Sequence, residues 1–107
     1  MRIEVLYFEG CPNHEPAFET VLGVVKELAV EATIERVQVP TDAEAIAKRF
    51  LGSPSVRVDG QDIEIRDDAE GPYSLRCRRY QTPEGITGSP SKDQIKSAIL
   101  TAMRGHA

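Results

Sequence analysis

The most constraining feature of this chain is a change of hydrophobic period near its start. Residues 2–8 read Arg-Ile-Glu-Val-Leu-Tyr-Phe, and Val5, Leu6, Tyr7 and Phe8 place apolar groups on both faces of an extended backbone. Such a run suits a buried, central strand. After Glu9-Gly10-Cys11-Pro12 the pattern switches. Phe18, Val21, Leu22, Val25, Leu28 and Ala29 recur at three- and four-residue steps, with Lys26, Glu27 and Glu31 left for water. This spacing predicts a helix over about residues 13–30. The junction has two registers. Pro12 can open the helix with Cys11 as its cap, but Pro16 then removes an early hydrogen bond and disfavours helix at Glu15. Asn13 as cap with Pro16 in the first turn avoids that cost.

The remaining chain continues the alternation. Residues 33–39, ending at Pro40, read as a second strand with one wet face. Thr41 and Glu44 stand at capping-box spacing, Ile46, Ala47, Phe50 and Leu51 supply an apolar stripe, Lys48 and Arg49 suit the negative helix end, and Gly52 can close the helix. Residues 55–58 and 61–65 are two short strands around Asp59-Gly60, a strong hairpin signal. Residues 67–90 dissolve into an irregular stretch with Gly71, Gly85, Gly88, Pro72, Pro83 and Pro90. Such a segment inside a compact domain is expected to be functional or flexible. Within it Tyr73, Leu75 and Cys77 alternate with Ser74, Arg76 and Arg78, which fits a short extra strand or a packed flap. A last helix starts near Ser89 or Ser91, with Ser91 and Gln94 at capping-box spacing and Ile95, Ala98, Ile99, Ala102 and Met103 along one side.

The order is strand, helix, strand, helix, hairpin, long loop, helix (βαβαββα). It predicts an α/β domain with a mixed four-stranded sheet and helices on both faces. At 107 residues with 40% apolar side chains, one domain over residues 1–107 is expected, with residues 67–90 as an inserted loop or flap. The net charge of -4 argues against a nucleic-acid partner. No apolar run approaches the roughly 18 residues of a membrane span, and Glu4 and Glu9 interrupt the first segment where a signal peptide is continuously apolar. A cytoplasmic protein is expected, either a monomer or a weak homodimer, with no cofactor. Two cysteines, Cys11 and Cys77, are too few for a disulfide scaffold, which points to chemistry.

Three features together resemble the thioredoxin-like superfamily. The first is Tyr7-Phe8-Glu9-Gly10-Cys11-Pro12-Asn13-His14, which puts a cysteine at the end of the first strand, where thioredoxins and glutaredoxins place a C-x-x-C. The second is Gly52-Ser53-Pro54-Ser55-Val56-Arg57-Val58-Asp59-Gly60, similar to the segment whose proline is cis and lies beside the active cysteine. The third is the element order. More narrowly, the chain resembles small bacterial thioredoxin-like proteins of the alkylmercury-lyase-related group. The resemblance implies a cis Ser53-Pro54 bond that offers the backbone of Ser53 to a substrate, and an insertion at residues 67–90 that folds over the Cys11 end of the sheet. Cys77 is thereby brought toward Cys11.

The chemistry of these residues stands beside the resemblance. Thiolate is the reactive form of cysteine, and free N–H groups at a helix start favour it. Cys11 sits where that help is available, in full if it is the cap and to a smaller extent if Asn13 is; the bland alternative is a buried, inert cysteine. His14 occupies the place of the second cysteine, so no local disulfide can form. It either assists the Cys11 thiolate by charge or proton transfer, joins Cys11 on a soft metal, or is an exposed histidine with no task. Cys77, between Arg76 and Arg78, is either a resolving thiol or a packing residue. Arg76, Arg78 and Arg79 form either an anion-binding face or a solvated cluster. Cys11, Cys77 and His14 are thus the candidate catalytic residues, with Pro12, Ser53, Pro54, Arg76 and Arg78 on the substrate side.

The leading expectation is thiol-dependent redox chemistry. The Cys11 thiolate attacks a disulfide, and Cys77 or an external thiol resolves the mixed disulfide. The partner is a disulfide-containing protein or a low-molecular-weight thiol. A second expectation is a mercury-type soft-metal or organomercurial protein that grips its ligand with Cys11 and Cys77. Organomercurial lyases use an aspartate as proton donor, and C-x-x-H stands here where C-x-x-D is expected. A third is a binding module that keeps the fold without turnover.

Overall fold

The computed structural model describes residues 1–64, 75 and 78–105. The elements are β1 (Arg2–Tyr7), α1 (His14–Leu28), β2 (Thr33–Gln38), α2 (Asp42–Lys48), β3 (Ser55–Val58), β4 (Gln61–Asp62), β5 (Tyr80–Thr82), β6 (Gly85–Thr87) and α3 (Lys92–Gly105). Four strands form a mixed sheet in the order β2-β1-β3-β4. β1 runs parallel to β2, from Arg2 opposite Thr33 to Tyr7 opposite Gln38, and antiparallel to β3, with Val5 opposite Val56. β3 returns as β4 through Asp59 and Gly60, both at positive φ (51° and 85°), as the tight hairpin turn between right-twisted strands demands.

The two-sided strand β1 explains the layers. Ile3 and Val5 face one way, into a cluster with Val21 and Val24 of α1, Val56 and Val58 of β3, and Ile95 and Ile99 of α3. Leu6 faces the other way, against Val39, Ala45 of α2 and Phe50, with Phe8 and Leu75 packed at the margin. Each such buried aliphatic side chain contributes about 1.5–3 kcal/mol of transfer free energy. Helices therefore cover both faces of the sheet, α1 and α3 on one and α2 on the other. Among the described residues, no helix is long and apolar enough to cross a membrane.

Three details differ from the sequence-based expectation. α2 ends at Lys48 with Arg49 in the left-handed region, well before Gly52. Arg57 of β3 explains the early stop: its Nη2 donates to the carbonyls of Lys48 (2.6 Å) and Arg49 (3.1 Å), satisfying helix-end acceptors that continued helix would otherwise use. With so short a helix the expected stripe shifts. Ile46 is 58% exposed, whereas Ala45 and, beyond the cap, Phe50 enter the core. Second, the stretch 67–90 is not irregular throughout, because residues 80–87 form the antiparallel hairpin β5-β6. Its turn residues Pro83 and Glu84 are followed by Gly85 at φ 108°. Strands of three residues are too short to register as alternation. Third, β4 is assigned only to Gln61–Asp62, and Ile65, the expected end of that strand, lies outside the described residues. The alternating run through Tyr73 and Cys77 also lies outside them, apart from Leu75 and Arg78.

The two expected capping boxes are built unequally. At α3, Ser91 Oγ accepts from Gln94 N (3.1 Å) and Gln94 Oε1 accepts from Ser91 N (2.9 Å), a complete reciprocal box. At α2, Thr41 Oγ accepts from Glu44 N (3.1 Å), but the Glu44 carboxylate accepts from Lys48 (3.0 Å).

Candidate functional site

Cys11 follows a tight turn out of β1. Its N–H donates to Phe8 O at 3.2 Å, and Gly10 at the third position has φ 95°, a conformation favouring glycine. Asn13 then occupies the cap position and α1 begins at His14, so Pro16 falls in the first turn, as the second register requires. The Asn13 side chain makes no capping hydrogen bond; its amide lies against Gly88, where an added Cβ would stand 2.3 Å from Nδ2. Cys11 is a free cysteine and only 3% exposed, with Pro12 exposed beside it.

His14 is engaged elsewhere. Its ring stacks on Tyr7 with centroids 4.3 Å apart, and its Nδ1 lies 3.9 Å from Glu15 Oε1. Among the described residues no hydrogen bond joins it to Cys11. Glu15 itself accepts from both terminal nitrogens of Arg36.

The Ser53-Pro54 peptide bond is cis, and residues 52–56 are all buried. This loop meets the Cys11 turn through Phe8, whose N–H donates to Ser53 Oγ at 3.4 Å. From the other side comes the segment that ends in β5. Arg78 N donates to Ser53 O at 2.9 Å, and Tyr80 Oη donates to Pro54 O at 2.6 Å. Gly52, at φ 121°, makes this approach possible, because a Cβ there would stand 3.0–3.2 Å from Cβ, Cα and N of Arg78.

Arg78 corrects an expectation. Rather than facing an external anion, its guanidinium is 7% exposed and forks onto Asp62, with Nη1 to Oδ2 at 2.5 Å and Nη2 to Oδ1 at 2.6 Å. It also donates to Glu64 O and lies over the Tyr80 ring, 4.5 Å from the centroid. Burial is the largest single influence and opposes its charge, but the hydrogen bond it donates to Asp62, together with the charges of Tyr80, Asp62 and Glu64, outweighs it, and the pKa is held above its ordinary value. The Tyr80 phenol is pushed up chiefly by burial. Arg79 is exposed, while Arg76 and Cys77 lie outside the described residues.

Sequence reasoning singled out Cys11, Ser53, Pro54 and Arg78, which the fold gathers at one end of β1 with Arg78 turned onto Asp62, and His14, which sits nearby but stacks on Tyr7. It missed Asp62, Tyr80 and Gln94. Gln94 Nε2 donates to Glu64 Oε2 and Gln81 O, both at 2.8 Å, and so fixes the hairpin to α3. The only sequence sign was the Ser91/Gln94 capping spacing, which speaks of α3 and not of this second task. Among the described residues, no three His, Cys, Asp or Glu side chains converge as a metal site. A separate groove of about 730 Å³ between the β3-β4 hairpin and α3 is lined by residues such as Ile63, Asp93, Ala98 and Thr101, and shares none with the Cys11 turn.

Comparisons of the chain with protein-family models, with curated proteins and with solved structures give no match.

Proposed function

We propose that the protein is a thioredoxin-like thiol-disulfide oxidoreductase in which Cys11 is the attacking thiol and Cys77 the resolving one. One observation carries the reading: the Cys11 turn and the described residues flanking Cys77, Leu75 and Arg78, converge on Phe8 and Ser53. Cys11 N is tied to Phe8 O, and Phe8 N to Ser53 Oγ. Cys77 lies outside the described residues, but the chain on either side of it is anchored there. Leu75 packs with Phe8 on one apolar cluster, and Arg78, one peptide bond from Cys77, donates to Ser53 O. The sheet order β2-β1-β3-β4 and the cis Ser53-Pro54 bond support the thioredoxin-like part of the reading.

The chemistry runs as two exchanges. Cys11 loses its proton, its sulfur bonds to one sulfur of a disulfide, and the other sulfur leaves and takes up a proton as a free thiol. Cys77 then attacks Cys11 Sγ, releasing the second thiol and closing a Cys11–Cys77 disulfide. Two protein thiols have reduced one external disulfide to two thiols. An external thiol in place of Cys77 returns Cys11 to its thiol form and carries the bond away as a new disulfide.

Incubation with oxidised glutathione followed by peptide mapping tests this. The expected product is a Cys11–Cys77 cross-link in the wild type and a trapped Cys11–glutathione adduct in Cys77→Ser. Absence of both products from protein that remains folded overturns the reading.

A further inference from the structure

Three successive carbonyls in the loop beside Cys11 already have donors from the chain itself. Gly52 O accepts from Ser55 Oγ (2.5 Å), Ser53 O from Arg78 N (2.9 Å) and Pro54 O from Tyr80 Oη (2.6 Å). An extended polypeptide docks through main-chain hydrogen bonds to an open backbone edge. At this loop the edge is closed by residues 78–80, packed so closely that a Cβ at Gly52 would stand 3.0–3.2 Å from Arg78.

The closure is anchored from behind. Asp62 and Glu64 O hold the Arg78 guanidinium, and Gln94 ties Gln81 to the start of α3. Displacing Arg78 N from Ser53 would therefore disturb a buried fork as well as one hydrogen bond. Cys11, at 3% exposure, offers little surface to a bulky partner.

We infer that the Cys11 site takes low-molecular-weight disulfides and excludes disulfides carried on extended polypeptides, and that the Arg78–Asp62 pair enforces the exclusion. The inference rests on the thiol-exchange reading above and names its substrate class. In the selected step Cys11–SH and R–S–S–R give Cys11–S–S–R and RSH, so one S–S bond breaks, one forms, and the proton passes to the leaving thiolate. A small disulfide needs only the Cys11 sulfur to be reached. A polypeptide needs a backbone edge that residues 78–80 of this chain already occupy.

The test compares two probes with the same leaving group. One is oxidised glutathione; the other is an unstructured peptide whose single cysteine is disulfide-bonded to glutathione. Second-order rates of Cys11 modification are followed by mass spectrometry in wild type, Asp62→Asn and Arg78→Met, each checked for folding by circular dichroism. The wild type is expected to react with oxidised glutathione at least about tenfold faster than with the peptide, because the peptide meets only the opened fraction. That ratio is expected to shrink in the variants. Equal wild-type rates, or a ratio unchanged in both folded variants, overturns the inference and leaves thiol exchange standing. Reaction with neither probe overturns the thiol-exchange reading itself.

Discussion

Arg78 and Asp62 meet as a two-pronged pair, both terminal guanidinium nitrogens on both carboxylate oxygens, with side chains 7% and 9% exposed. A pair so well matched and so dry behaves differently from the surface bridges elsewhere on the molecule, such as Lys92–Glu27, which are exposed and worth little. Its partners lie in different parts of the chain, Asp62 in β4 and Arg78 just before β5. The pair is therefore a tertiary fastening between the sheet edge and the segment next to Cys77.

Removing one partner leaves the other charged and buried. Asp62→Ala or Arg78→Ala is expected to lower unfolding free energy by about 3–5 kcal/mol. Asp62→Asn keeps the shape and part of the hydrogen bonding, and is expected to cost less. Urea denaturation of the three variants checks the order.

Gly10 and Gly52 both have positive φ, at 95° and 121°, but their surroundings differ. Nothing lies within 4 Å of a Cβ at Gly10, whereas one at Gly52 meets the backbone of Arg78 at 3.1–3.2 Å. Gly10→Ala is expected to cost about 1–2 kcal/mol from backbone strain alone. Gly52→Ala is expected to cost more, and to speed amide hydrogen exchange at Arg78, where Gly10→Ala does not.

The Tyr80 phenol has its pKa raised by burial above the ordinary value near 10. The folded chain therefore keeps a proton that the unfolded chain gives up. The associated stability is complete below about pH 10 and is lost as pH rises above it toward the folded pKa. Tyr80→Phe is expected to flatten that alkaline decline, and to cost about 1 kcal/mol at neutral pH for the lost bond to Pro54 O. Denaturation curves for both proteins between pH 8 and pH 11 or so give the comparison.

At the helix starts, Ser91→Ala is expected to cost about 1 kcal/mol, similar to Thr41→Ala, since each removes one side-chain acceptor. Gln94→Ala is expected to cost more than either, because that side chain also holds Glu64 and Gln81. Thermal unfolding of the three variants ranks them.

Local signals carried much of the architecture. β1 declared itself by being apolar on both faces, the Asp59-Gly60 turn by its residues, and α3 by its capping pair, because each is decided by neighbours a few positions apart. The α2 end was misjudged because Arg57, nine residues beyond Lys48, supplies the hydrogen bonds that stop the helix. The β5-β6 hairpin was hidden by its brevity. At the site, Cys11 and Pro54 stood out because their flanking segments resemble thioredoxin-like motifs, while the fate of Arg78 was decided by Asp62, sixteen residues away in sequence, with no spacing rule to join them. A charged run such as Arg76-Cys77-Arg78-Arg79 cannot by itself reveal which member is buried.

The Asn13 amide fills the space where Gly88 lacks a side chain, so the loop before α3 closes down on the first residues of α1. Together with the Arg78 fastening, this brackets the cysteine turn between two parts of the C-terminal third of the chain. Reactivity of Cys11 toward a polypeptide-borne disulfide then becomes a reporter of partial unfolding: that reaction runs at a rate set by how often the bracket releases, and denaturant well below the global midpoint should accelerate it.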